Sequence, residues 1–146
     1  MMAADPRTRS VWPYALAAIV SLIGLGDSIY LTIEHITGQS VRCTVITGCS
    51  EVLGSSYAVV AGIPLAAVGA AAYFAVFSLA TLAAFGYRLA GTLLAILIGI
   101  MFLTTLWLLY LQSLVIHHFC QFCLLSALVT FVLTALVVVQ RRLRAP

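Results

Sequence analysis

Residues 117–127 read HHFCQFCLLSA, and within them Cys120 and Cys123 open an apolar run that continues to Val139. A run of that length, at about 1.5 Å of rise per residue, covers the roughly 30 Å of hydrocarbon in a bilayer. Two cysteines three apart at a helix start share a face, and the helix N-terminus stabilises a thiolate. Such a pair closes to a disulfide and reopens by exchange. The same spacing also serves metal sites, and cysteine is common in apolar helices as a small inert hydrophobe. The rest of the chain decides between these readings.

Composition sets the class. With 64% hydrophobic and 8% charged residues among 146, and a mean hydropathy of +1.18, the chain has too little polar surface for a water-soluble globule. The expected fold is all-α: a polytopic membrane protein, a four-transmembrane-helix bundle, with residues 1–146 forming one membrane domain. The spans are expected at about 11–33, 63–85, 89–116 and 120–139. Between the first two lies an outer loop, 34–62, and the partly apolar stretch 50–64 reads as a short interfacial helix resting on the bundle. Residues 1–10, MMAADPRTRS, form a basic leader, but no A-x-A-like site ends the run that follows, so it reads as an uncleaved first helix.

Several residues refine this picture. Trp12 and Tyr14 are expected at one membrane interface and Tyr30 towards the other. Gly24 and Gly26 read as places where another helix or a ligand comes close. Asp27 is expensive at depth, about 2.5–3.5 kcal/mol on insertion scales, and should face the bundle or a polar cavity. Pro64 suits the start of the second span, where its missing N–H costs nothing. Residues 86–88 make a very short turn, and residues 112–118 read as a tight connection into the fourth span. The seven basic residues are all arginine, a net charge of +3 too small and scattered for nucleic-acid binding. Arg7, Arg9, Arg88, Arg141, Arg142 and Arg144 fall on the side of both termini, and Arg42 alone on the other. The positive-inside rule makes the first side cytoplasmic, which places all four cysteines at the outer face.

Cysteines that merely filled a core would scatter among the spans and over both faces. Instead two pairs share the surface where disulfides persist. Cys43 and Cys49 sit in a glycine-rich loop while Cys120 and Cys123 are set in a helix start, so a mobile pair can shuttle electrons to a fixed one. Cys43, a gap of five, Cys49-Ser50, Ser55, Gly62-Ile63-Pro64 and a CxxC heading the fourth span together resemble the vitamin K epoxide reductase family, in its bacterial branch. The resemblance covers nearly the whole four-helix core. It implies a membrane thiol-disulfide oxidoreductase in a bacterial inner (cell) membrane, supporting disulfide-bond formation. Position by position, it implies that Cys43 exchanges with a partner, Cys49 relays to Cys120, and Cys123 faces a quinone, menaquinone or ubiquinone. Ser55 matches a serine that steadies the loop helix over the quinone pocket. Many bacterial members carry a fused thioredoxin-like domain; with the sequence ending at Pro146, the expected partner is a separate thioredoxin-fold protein in the periplasm or outside the cell, and the other surroundings are membrane lipid.

The chain departs from the vertebrate enzymes of that family. It contains no asparagine, so their quinone-contacting one is missing, and Ala127 stands where they have a tyrosine. The resemblance therefore does not carry epoxide reduction to this chain. Phe119, Phe122, Trp107, Tyr110 and Tyr30 are candidates to line a quinone pocket, or else packing and interface anchors. His117 and His118 are candidate proton carriers, or a solvated turn. The rival reading is a metal-binding or metal-transport membrane protein with Cys43, Cys49, Cys120 and Cys123 as a thiolate cage. A gap of five is wide for zinc ligands, and the spans hold no polar stripe for an ion path, so no metal site is assigned.

Overall fold

The computed structural model describes residues 11–37, 59–60, 62–116 and 121–144. Most of them lie in four long helices: α1 (Trp12–Ile36), α2 (Leu65–Ala84), α3 (Arg88–Tyr110) and α4 (Gln121–Arg144). All four are long and apolar enough to cross a membrane. Hydrocarbon offers no partner to a backbone amide, so a lipid-facing segment must close its hydrogen bonds within itself, as a helix does. Side-chain hydroxyls obey the same constraint. Ser21 Oγ donates to the Ala18 carbonyl at 2.7 Å, Thr81 Oγ1 to Phe77 at 2.8 Å and Thr104 Oγ1 to Ile100 at 2.9 Å, each folded back on its own helix.

α1 packs against α2 and α4, and α3 packs against the same two, so the helices form a ring in chain order with α2 and α4 on a diagonal. Neighbours run antiparallel: Gly24 of α1 abuts Tyr73 of α2, while Ser28 abuts Gly69. Between α3 and α4, Phe102 meets Phe131 edge-on at 5.6 Å between ring centres. One end of the bundle therefore carries Arg88, Arg141 and Arg142, and the other the start of α4 with Cys123. The core is Tyr14, Ala17, Tyr73, Val76, Ala80, Leu94, Ile98, Val129 and Leu133, while large apolar side chains such as Ile19, Ile23, Leu103 and Leu106 point away from it. In a membrane that outer surface meets lipid, and packing between helices depends on small residues that let backbones approach.

The turn from α2 to α3 shows how sequence sets connectivity. Gly86 adopts φ +105°, its N–H bonds to the Ala83 carbonyl at 3.1 Å, and the Tyr87 N–H reaches back to Leu82 at 3.3 Å. These two bonds cap the last carbonyls of α2 in a Schellman motif, which needs the left-handed residue that glycine supplies. The chain reverses immediately and α3 begins at Arg88.

Elsewhere the structure corrects the sequence reading. Of the stretch expected as an interfacial helix, residues 50–58 lie outside the described residues, and its end is a small hairpin. β1 (Val59–Val60) pairs antiparallel with β2 (Ile63–Pro64), Val59 opposite Pro64 and Val60 opposite Ile63, with Gly62 turning between them at φ +80°. β-branched residues flanking a left-handed glycine favour a tight strand reversal over a helical turn. α2 consequently starts at Leu65 rather than Ile63, with Pro64 just before its first turn. At the far end of α3 the chain does not break into a connection at Gln112. It continues as a π-helical segment, Leu111–Ile116, that keeps the backbone bonded while widening the turn, and Leu111 and Gln112 are buried there. Tyr14 packs in the core, whereas Trp12 and Tyr30 are exposed. Gly26 has nothing within 4 Å of where a Cβ would stand, so of the two glycines only Gly24 marks a close approach.

That approach is testable. A Cβ on Gly24 would lie 2.6 Å from Cζ of Tyr73, well inside contact distance. Gly24→Ala should destabilise the purified protein by roughly 1–3 kcal/mol, the usual range for overpacking. Gly26→Ala should leave the melting temperature unchanged or slightly raised, because alanine is the better helix former. Equal effects of the two substitutions in detergent melts would contradict this packing.

Candidate redox site

Cys123 is the third residue of α4 and is half-buried. The first turn of a helix leaves backbone N–H groups without intrahelical partners and carries the positive end of the dipole, both of which stabilise a thiolate. Cys43, Cys49, Ser55 and Cys120 lie outside the described residues, as do Phe119, His117 and His118. What can be built is therefore the floor and walls around Cys123.

Three and seven residues after Cys123, on the same face of α4, come Ser126 and Thr130. They receive the side chain of Tyr73, which crosses the bundle diagonal from α2. The Tyr73 hydroxyl lies 2.6 Å from Ser126 Oγ, 3.0 Å from the Ser126 carbonyl and 3.2 Å from Thr130 Oγ1. Thr130 Oγ1 also donates to the Ser126 carbonyl at 3.0 Å, so every hydroxyl in the group finds a partner. The crossing is possible because Gly24 offers no side chain where the Tyr73 ring passes. Ser126 is about 4.5 Å along the helix axis from Cys123 at 1.5 Å per residue, so the phenol sits about one turn beneath the thiol.

On α1, one turn beyond Gly24 towards the cysteine end, stands Asp27. It is 8% exposed, and among the described residues neither carboxyl oxygen has a hydrogen-bond partner. It lies within electrostatic reach of the Tyr73 phenol. The sequence expectation that Asp27 faces the bundle is met. Its neighbour Ser28 points at Gly69, where a Cβ would come within 3.2 Å of Oγ. Along their own helices Asp27 on α1 and Cys123 on α4 each lie about one turn beyond the residue that meets Tyr73, Gly24 and Ser126 respectively, towards the cysteine end.

Sequence reading did not single out Tyr73, Ser126 or Thr130. A signal existed: Ser126 and Thr130 continue the helical face of Cys123, and Tyr73 is the one polar side chain in the run GAAAYFAVF. Their pairing across a diagonal is a tertiary fact that periodicity does not carry. Of the aromatic candidates, Trp107 and Tyr110 stack on each other at 5.7 Å and are exposed, as interface anchors are, and Tyr30 is exposed too. Among the described residues no three His, Cys, Asp or Glu side chains converge as a metal cluster would, although three of the four cysteines are not among them. A groove between α3 and α4, about 320 Å³ and lined by Ala95, Ile98, Gly99, Thr134, Val137 and Arg141, opens towards the arginine end. Arg141 is about 27 Å along α4 from Cys123, so that groove takes no part in thiol chemistry.

The arrangement suits thiol chemistry: a thiol at a helix N-terminus, hydroxyls fixed about one turn along the same helix, and a buried carboxyl on α1 one turn from the Tyr73 contact. No curated protein matches the chain. A family model does, over residues 15–138, which span α1 to α4 and include every cysteine. With four membrane-crossing helices and a thiol heading the fourth, the chain belongs to the vitamin K epoxide reductase family and is a membrane thiol-disulfide oxidoreductase.

Proposed function

We propose that the protein passes electrons from a secreted thioredoxin-fold partner through Cys43 and Cys49 to Cys120 and Cys123, and from there to a bound quinone, in support of disulfide-bond formation. The observation that carries this reading is the position of Cys123, half-buried in the first turn of α4, about one turn along that helix from the Ser126 that holds the Tyr73 phenol. An inert core cysteine has no need of such a neighbour.

The residues present fit a quinone. Such a ring needs apolar walls and a few polar groups near its carbonyl oxygens. The bundle supplies the Asp27 carboxyl, whose two oxygens have no hydrogen-bond partner among the described residues, near the apolar ring of Tyr73. When bound, a quinone supplies a two-electron acceptor that leaves as hydroquinone. The chain's part begins in the outer loop. A thiolate of the reduced partner attacks the Cys43–Cys49 disulfide at Cys43 and frees Cys49, and the partner's second thiolate releases Cys43 and leaves as the partner's disulfide. Cys49 then attacks a Cys120–Cys123 disulfide at Cys120 and frees Cys123, and Cys43 resolves the Cys49–Cys120 bond, so the dithiol left to be oxidised lies at the helix start. Tyr73, held from both sides by Ser126 and Thr130, keeps the floor of the site in one geometry. Ser55 steadies the loop over it.

The same reading places the protein in a bacterial cell membrane with both termini cytoplasmic, supported by six arginines against one and by Arg88, Arg141 and Arg142 at the bundle end opposite Cys123. A membrane-impermeant maleimide applied to intact, reduced cells should label Cys43. Labelling that requires opening the membrane from the other side would reverse the map.

The relay makes two substitutions diagnostic. Cys43→Ala should accumulate a Cys49–Cys120 disulfide, visible by non-reducing gel shift and mass spectrometry, and Cys123→Ala should abolish quinone reduction. A Cys123→Ala protein that reduces quinone at the normal rate would remove Cys123 as the proximal donor. Zinc retained stoichiometrically by thiol-reduced, purified protein would favour the thiolate-cage alternative.

A further inference from the structure

We infer that Asp27 is the proton-carrying group of this site, a role that rests on the quinone-linked reading above. Its carboxyl is more than nine-tenths buried, and among the described residues both oxygens lack a hydrogen-bond partner. A structural aspartate in a membrane helix normally finds a hydroxyl, an amide or a cation, because an unsatisfied polar atom in hydrocarbon is costly. Here the hydroxyls of Thr32, Tyr73, Ser126 and Thr130 are already committed, and Ser28 turns its hydroxyl towards Gly69. Thr32 Oγ1 donates to the Ser28 carbonyl at 2.7 Å, and Tyr73, Ser126 and Thr130 satisfy one another. Arg88, Arg141 and Arg142 sit at the opposite end of the bundle. A neutral carboxyl, which carries a proton it can release, is the form that such surroundings tolerate.

The groups around it define the exchange. α1 packs on α2, which presents Tyr73, and on α4, which presents Cys123; Glu34 on α1 itself is about two turns further towards the cysteine end. When Cys120 and Cys123 form their S–S bond, two thiols lose two electrons and two protons, and reduction of a quinone to hydroquinone consumes both pairs. Asp27 donates one proton to that reduction and regains one from the thiols, with the Tyr73 hydroxyl between the two walls as the fixed dipole. The carboxyl is neutral before and after. The chain has four carboxyl side chains in all, which makes this one spectroscopically separable.

Infrared spectroscopy of the quinone-free dithiol protein should show a protonated-carboxyl C=O band that is missing in Asp27→Asn and is perturbed when diamide closes the disulfide. Quinone reduction by Asp27→Asn, with dithiothreitol as donor, should fall about a hundredfold or more, in the range general acid catalysis supplies. The melting temperature should stay near wild type, and Asp27→Glu should recover part of the rate. A wild-type spectrum without the band, or Asp27→Asn turnover equal to wild type, overturns the inference. So does a rate loss in Asp27→Asn that comes with early melting and is not rescued by glutamate. Wild-type protein that reduces no quinone at all instead overturns the quinone reading, and the proton role with it.

Discussion

Tyr73 reaches across the diagonal of the bundle to Ser126 and Thr130, and the arrangement of the cysteine end depends on that reach. A phenol in hydrocarbon must find its hydrogen bonds inside the protein, and here they lie on the helix that carries Cys123. The contact fixes the rotation of α4, because Ser126 and Thr130 can face Tyr73 only if Cys123 faces the same interior. It also fixes the spacing of α1 from α2, since the ring fills the gap that Gly24 leaves. One side chain thus ties three helices together and orients the thiol of the fourth span.

The polar groups around that contact divide by how they are satisfied. Ser21, Thr81 and Thr104 fold back on their own helices and are neutral elements of a membrane span. Ser126, Thr130 and Tyr73 satisfy one another between helices, which rigidifies the floor of the site. Asp27 stands buried with both oxygens unpartnered among the described residues, as do the side-chain amide atoms of Gln140 towards the arginine end.

Much of this was legible beforehand, for physical reasons that differ by residue. The four spans follow from composition and length, because only a helix satisfies its backbone in lipid, and Gly86 announced the turn that its positive φ permits. The inward face of Asp27 followed from the cost of a carboxylate at depth. The hairpin at Val59–Pro64 was hidden because its apolar residues suit a strand or a helix equally at that length. The π-helical segment at Leu111–Ile116 was hidden because polar Gln112 and Ser113 resemble the start of a loop. Tyr73 was hidden because which helices share a diagonal is decided by packing, not by any one span's periodicity. Cys43, Cys49, Ser55 and Cys120 rest on the sequence and on family membership.

The central claim is that electrons leave this thiol pair for a quinone. Absorbance of the purified protein tests it most directly, through the ultraviolet band of oxidised quinone followed while a reduced thioredoxin-fold protein is added. The account requires that band to bleach in proportion to the dithiol consumed, with Cys120 and Cys123 passing through a disulfide on the way. A quinone band that stays unbleached while the partner's dithiol is consumed would contradict it.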